Sequence, residues 1–428
     1  MTATMGMILG VWTVCLFLGP PIWLTMALAA TAFIFLQHVD PIIIAQQQVS
    51  AANSFTFVAA PLFILMGHVM NNAGVTHRIF DFAAAMVGWL RGGLCHANVV
   101  ASMIFAGMSG SAVAEAGGLG TVEIKAMRDA KYPIDMAAGL TAAAATIGPI
   151  IPPSLPMVVY GAAAEVSVGK LFMAGVIPGV LMGLALMVLC SFMARRLDLP
   201  KGKFPTLPDL GRKFLAAFWA LMTPVLLLAG MLSGVFTPTE AAAVATLYAL
   251  ILGLFVYRSF SIAQLPRLIL DTAETTGVVM ALVMAAKLLG WALAISRIPQ
   301  IAGQALTTLS ANPLVYLAIV NVLLLVVGCF MEGIAAMLIL IPILVPVAMK
   351  LGIDPVHFGL IFVLNLMIGT VTPPVGVVLY VVSNIARISF ERMARAIVPF
   401  LVPLLVVLVA STLWPPLTTW LPGLTIGR

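Results

Sequence analysis

The chain has 428 residues, 62% hydrophobic and 8% charged, with mean hydropathy +1.15 and a formal net charge of +6. Soluble chains carry about 25% charged residues, so this composition excludes a soluble fold and predicts an all-α integral membrane protein. Spans of about 20 apolar residues can be placed in roughly ten to twelve positions.

In chain order, Met1–Leu36 is apolar without a charged leader and continues past Pro20-Pro21, which argues against a signal peptide. Spanning helices are predicted over 134–163, 171–194, 214–233, 240–257 and 356–384, and 266–295 is an apolar segment that either crosses or stays on one side, its start favouring the second. The segment Arg195–Lys213 holds six basic residues and two acids. Between two spans such a loop reads as cytoplasmic under the positive-inside rule, and not as a nucleic-acid patch. Thr237-Pro238-Thr239-Glu240 has the form of a helix start. Arg267, Asp271 and Glu274 share one helix face, which suggests an interfacial helix, and Lys287 interrupts the apolar run that follows. The four cysteines, Cys15, Cys95, Cys190 and Cys329, have no CxxC spacing, and the five histidines have no metal spacing. Trp414 and Trp420 fit an aromatic belt near the C-terminus.

The sequence repeats itself. An offset of 221 carries Gly107 to Gly328, Gly148 to Gly369, Pro152-Pro153 to Pro373-Pro374, and Pro178 to Pro399. Three regions follow: 1–194 as a first half with N-terminal scaffold helices, 195–213 as the basic loop, and 214–428 as a second half with its own scaffold helices. Paired Gly/Pro-interrupted segments in two halves point to a secondary transporter whose repeats enclose a mid-membrane site, often with inverted topology. Here the halves are inverted if 266–295 does not cross, given re-entrant hairpins at 109–130 and 331–349.

Each proline removes an N–H and frees the carbonyl four residues earlier. Pro152 and Pro153 release Gly148 and Pro149, whereas Pro373 and Pro374 release Gly369 and Thr370. Such carbonyls survive at membrane depth only where protein or a lined cavity satisfies them, and a hard cation is one such partner. Thr146 and Ser154 flank the first pair, and Thr370 and Thr372 the second. Companion segments lie upstream, Gly107-Met108-Ser109-Gly110-Ser111 and Gly328-Cys329-Phe330-Met331-Glu332-Gly333, each a candidate hairpin tip facing the broken helix of its own half. Among the intramembrane acids Glu115, Glu165, Glu240 and Glu332, the last is the strongest site candidate. Gly107-Met108-Ser109-Gly110 also has the form of an intramembrane serine protease motif, but no histidine lies between His96 and His357 to serve as base. An enzyme is therefore not expected.

Several of these stretches resemble the large membrane subunit of TRAP (tripartite ATP-independent periplasmic) transporters. They are Asn53-Ser54-Phe55 through Gly67, Ser109 to Ala114, Gly148-Pro149-Ile150-Ile151-Pro152-Pro153-Ser154, Leu171 to Gly175, Gly234 to Ala241, and Thr372-Pro373-Pro374-Val375-Gly376. The resemblance implies an elevator-type, sodium-coupled importer of organic acids, usually carboxylates, in the bacterial inner membrane. It implies two inverted repeats with re-entrant hairpins and two sodium sites. Those sites carry over to Ser109, Gly110, Ser111, Gly148 and Pro152, and to Gly328, Glu332, Gly369, Thr370, Thr372 and Pro373, with sodium expected at Ser109, Gly148, Gly369 and Thr372. Pro149, Pro153, Ser154 and Pro374 complete the candidate set. The implied partners are a small four-helix membrane subunit, expected here as a separate chain, and a periplasmic substrate-binding protein. Lys125 and Lys131 depart from the family's usual Pro and Gly.

Overall fold

The structure is a computed structural model that describes residues 19–298 and 312–426, together with Gly10, Trp12 and Ile301. The apolar run before Pro20 and Cys15 lie outside the described residues. The rest is helical. The helices are α1 (Ile22–Leu36), α2 (Ile42–Ala52), α3 (Ala59–Asn72), α4 (Val75–Val87), α5 (Gly93–Ser109), α6 (Ala112–Asp129), α7 (Ile134–Ala145), α8 (Leu155–Ala164) and α9 (Val168–Arg196). After the basic loop come α10 (Leu207–Leu232), α11 (Pro238–Ile251), α12 (Leu265–Ile295), α13 (Pro313–Phe330), α14 (Gly333–Lys350), α15 (Pro355–Gly369), α16 (Val377–Ala386), α17 (Phe390–Leu413) and α18 (Pro416–Thr425).

Seven of the described helices are long and apolar enough to cross a membrane, fewer than the sequence suggested. Part of the difference comes from the proline breaks. The predicted helix 134–163 is two pieces, α7 and α8, and 356–384 is likewise α15 and α16. No piece of either is long enough to span alone. The hairpins are also larger than 109–130 and 331–349. The first is α5 with α6, joined by Gly110-Ser111; the second is α13 with α14, joined by Met331-Glu332. The tips turn the chain: Gly110 is left-handed at φ +60°, and Ser111 and Glu332 are extended N-caps, whereas α14 runs on as one helix through Pro342 and Pro346.

The offset of 221 carries α6 onto α14 residue for residue. The two halves interlock. The return limb α6 packs against α16 of the other half, and α14 packs against α8. Tyr160 and Phe362 meet at the centre with ring centroids 5.7 Å apart, and both side chains are fully buried. Gly359 leaves room for the Tyr160 ring: an added Cβ would run into it, 2.9 Å from its Cδ1, and lie 2.8 Å from Leu171.

α12 is one unbroken helix of 31 residues, about 46 Å long. Arg267, Asp271 and Glu274 are exposed on its first turns, yet its length and apolarity suffice for a crossing, contrary to a purely interfacial helix. The expected start at Thr237 is a capping box: Glu240 N–H donates to Thr237 Oγ1 at 3.3 Å, and Thr237 N–H donates to Glu240 Oε2 at 2.8 Å. Replacing Glu240 by Ala should remove one of these bonds and destabilise the fold by about 1 kcal/mol. Thermal unfolding in detergent would show this as a lowered Tm; an unchanged Tm would contradict a structural role for the box. Lys131, where the family often has Gly, has φ +61°, a backbone setting that favours glycine. Lys125 does not interrupt α6, which runs on to Asp129.

Candidate functional site

Both hairpin tips rest on the breaks of their own half. At the first tip, a Cβ on Gly110 would lie 3.1 Å from the Pro153 carbonyl oxygen and 3.2 Å from Leu155 N. Ser111 caps α6 by accepting from Ala114 N–H. Ser109 ends α5; its side chain lies outside the described residues. At the second tip, Gly328 and Gly369 meet backbone to backbone, and a Cβ on Gly369 would fall 2.7 Å from the Gly328 carbonyl carbon. Gly376 N–H donates to the Cys329 carbonyl at 2.9 Å, tying the far side of the break to the hairpin. The Pro152-Pro153 and Pro373-Pro374 peptide bonds are both cis.

Of the four carbonyls expected to be free, three have donors. Ser154 Oγ donates to Pro149 O, Thr372 N–H donates to Gly369 O at 2.9 Å, and Val378 N–H donates to Thr370 O at 3.1 Å. The chain folds back on itself beyond each break, so nearby N–H and O–H groups reach the released oxygens. Gly148 is the exception, since its carbonyl takes no hydrogen bond among the described residues. The hydroxyls of Thr146, Thr370 and Thr372 each donate to a carbonyl one helical turn back, leaving oxygen lone pairs to accept or to coordinate.

Two acids frame these tips. Glu332 caps α14 through Ala335 N–H, 3.0 Å from Oε2. The residue as a whole is exposed at the hairpin tip. Glu115 was the weaker candidate in the sequence. Its carboxylate sits directly against Gly148, in the space a Cβ there would take. It is 1% exposed, and neither oxygen has a hydrogen-bond partner among the described residues; Ser102 and Glu123 lie near it. Glu123, also 1% exposed, was missed altogether. The signal was present: Glu115 and Glu123 lie two turns apart on one face of a helix, and the offset of 221 replaces them by Ala336 and Leu344. Glu165 and Glu240 stand at helix ends and away from the tips.

Residues 9–417 match the model of a family described as the tripartite ATP-independent periplasmic transporter, DctM component. The chain belongs to this family. It is 47% identical over 428 residues to the sialic acid TRAP transporter large permease protein SiaM of Vibrio cholerae, covering 99% of each chain. It is 39% identical over 401 residues to the 2,3-diketo-L-gulonate TRAP transporter large permease protein YiaN of Escherichia coli, covering 94% of each. It is also 39% identical over 417 residues to the sialic acid TRAP transporter permease protein SiaT of Haemophilus influenzae, covering 97% of this chain and 68% of that protein. Among solved structures, the YdaH transporter of Alcanivorax borkumensis shares the fold, with TM-score 0.63, 17% identity, and coverage of 87% of this chain and 88% of that one. The DctM chain is thus a multi-pass membrane permease and a transporter component, not an enzyme.

Proposed function

We propose that this DctM chain is the large subunit of a sodium-coupled importer of small organic acids in the bacterial inner membrane. It works by an elevator movement of two inverted repeats. A separate four-helix subunit steadies it in the bilayer, and a periplasmic binding protein delivers substrate. The observation that carries the reading is the pair of hairpin tips, each closed onto the proline break of its own half.

Orientation supports inversion. The base of the first hairpin sits by the basic loop: Gly92 N–H donates to Pro200 O at 3.0 Å, and Arg91 pairs with Asp198. The base of the second hairpin, at Met349 and Asp354, lines a cavity with Glu165 and Ser167 at the other end of α9. With the basic loop in the cytoplasm, the hairpins enter from opposite sides. Arg128 at the end of α6 donates to Ala386 O at the end of α16, which places the second break's far limb on the cytoplasmic side.

The first tip fits a hard cation. Gly148 O without a donor and Glu115 oxygens without partners are the oxygen ligands sodium prefers, beside Ser109, Gly110, Ser111 and Pro152. At the second tip the ligands would be Gly369 and Thr372 with Gly328, Glu332, Thr370 and Pro373. Organic acids as cargo rest on the relatives, whose names give sialic acid and 2,3-diketo-L-gulonate. The test is uptake by proteoliposomes holding both membrane subunits, with binding protein outside. Uptake should require an inward sodium gradient and the binding protein. Uptake indifferent to that gradient would favour a pore, and full uptake by this chain alone would end the tripartite reading.

A further inference from the structure

A cavity of about 1090 Å³ lies away from the hairpin tips, and none of the candidate ion-site residues lines it. It opens beside the N-terminal ends of α9 and α11 and the C-terminal end of α10, the ends opposite the basic loop. In the orientation above, it faces the periplasm. One wall is α2 with α12; the other is the end of α8 with α14.

Its chemistry is specific. Lys287 and Glu165 are the only charged residues among those lining it, and neither forms an ion pair among the described residues. Lys287 interrupts an apolar helix between buried Ala286 and buried Leu288. A lysine there is costly unless it serves a wet, functional surface. Trp291, one turn further along α12, lines the same cavity. Ser50, Ser54 and Ser167 add hydroxyls.

We propose that this cavity is an outer vestibule that receives a polyhydroxylated monocarboxylate before it reaches the hairpin tips. This rests on the organic-acid reading above and deepens it. Lys287 holds the carboxylate, and Glu165 accepts hydrogen bonds from substrate hydroxyls. Trp291 lies under the apolar C–H face of the ligand. A dicarboxylate would place its second charge near Glu165 and be repelled. Selection is therefore built into this subunit and does not rest wholly on the binding protein.

The test keeps Lys287 and uses Gly290→Cys, where an added Cβ meets only Pro342 at 3.7 Å inside the same cavity, in the complex of both membrane subunits, in liposomes without binding protein. The described native cysteines Cys95, Cys190 and Cys329 are buried, so with Cys15 replaced by Ser a negatively charged methanethiosulfonate reagent should report on position 290. Sialic acid should slow the labelling and succinate should not; adding Glu165→Gln should let succinate slow it as well. Protection by both acids, or by neither, in the presence of Glu165 would overturn the proposal. Labelling that responds to phosphatidylglycerol in the vesicle and not to sialic acid would assign Lys287 to a lipid headgroup and overturn it too. In sodium-driven uptake of sialic acid by the full tripartite system, Lys287→Gln should raise the half-saturating concentration by about tenfold, one decade of affinity, and Lys287→Arg should recover most of it. An unchanged half-saturation in Lys287→Gln would count against the vestibule. Absence of uptake of any tested acid by the unaltered system would instead count against the function proposed above, and the labelling would still decide the vestibule.

Discussion

Replacing Gly369 by Ala should abolish solute uptake and destabilise the fold by about 1–3 kcal/mol, the usual cost of overpacking. The added methyl would sit 2.7 Å from both the Cα and the carbonyl carbon of Gly328, and 3.2 Å from Cys329 N. All three are backbone atoms of the second hairpin, so no side chain can swing aside to make room. The hairpin tip would lift from the break, and Gly376 N–H would separate from Cys329 O. Gly328→Ala should be milder, because its methyl would meet Gly369 Cα at 3.1 Å and Leu366 O at 3.2 Å, contacts a small shift can relieve. Gly277→Ala on α12 has nothing within 4 Å and should leave both uptake and stability unchanged. Uptake in proteoliposomes and thermal unfolding in detergent would test this order. Wild-type uptake by Gly369→Ala would show that contact between hairpin and break is not needed for transport.

Part of this architecture is legible in the sequence because helix-breaking residues are rare and cannot be hidden. Two Gly/Pro-rich interruptions 221 residues apart give the broken helices, and Thr237 and Glu240 give a helix start by local chemistry alone. The hairpin limbs were harder. The tips were marked by Gly107–Ser111 and Gly328–Gly333, but α5 and α13 read as ordinary apolar segments, and nothing in them states that they are the outgoing limbs of the hairpins. That depends on packing against α7 and α15, which lies far along the chain. The fate of the freed carbonyls was illegible for the same reason. Proline predicts which oxygen is released, but only the path of the following residues decides that Val378 reaches Thr370 while no described group reaches Gly148. Glu115 was underweighted because an acid in the first turn of a helix, four residues after a capping serine, has a sufficient local explanation in the helix dipole. Its contact with Gly148 needs the fold.

Glu332 tests whether charge at the second tip does more than hold the hairpin. Its carboxylate performs two jobs that a single substitution can separate. As N-cap of α14 it accepts the Ala335 N–H through Oε2, a role worth about 0.5–2 kcal/mol. As an exposed acid at the hairpin tip, it presents negative charge on the side of the second break, which offers the oxygens of Gly369 and Thr372. Glutamine keeps an accepting oxygen of the same reach and loses the charge. Glu332→Gln should therefore retain nearly all of the stability that Glu332→Ala loses. If the charge acts only on the backbone, both transport rate and sodium dependence should follow stability, and the glutamine variant should behave as wild type. With a cation or substrate in contact, glutamine should instead cut uptake by about tenfold or more, a lost charge contact of about 1.5–3 kcal/mol, and raise the sodium concentration for half-maximal uptake. We expect the second result. Glu332 is held at a tip whose neighbours are already paired with one another, so a capping role alone would not require a carboxylate with open surface.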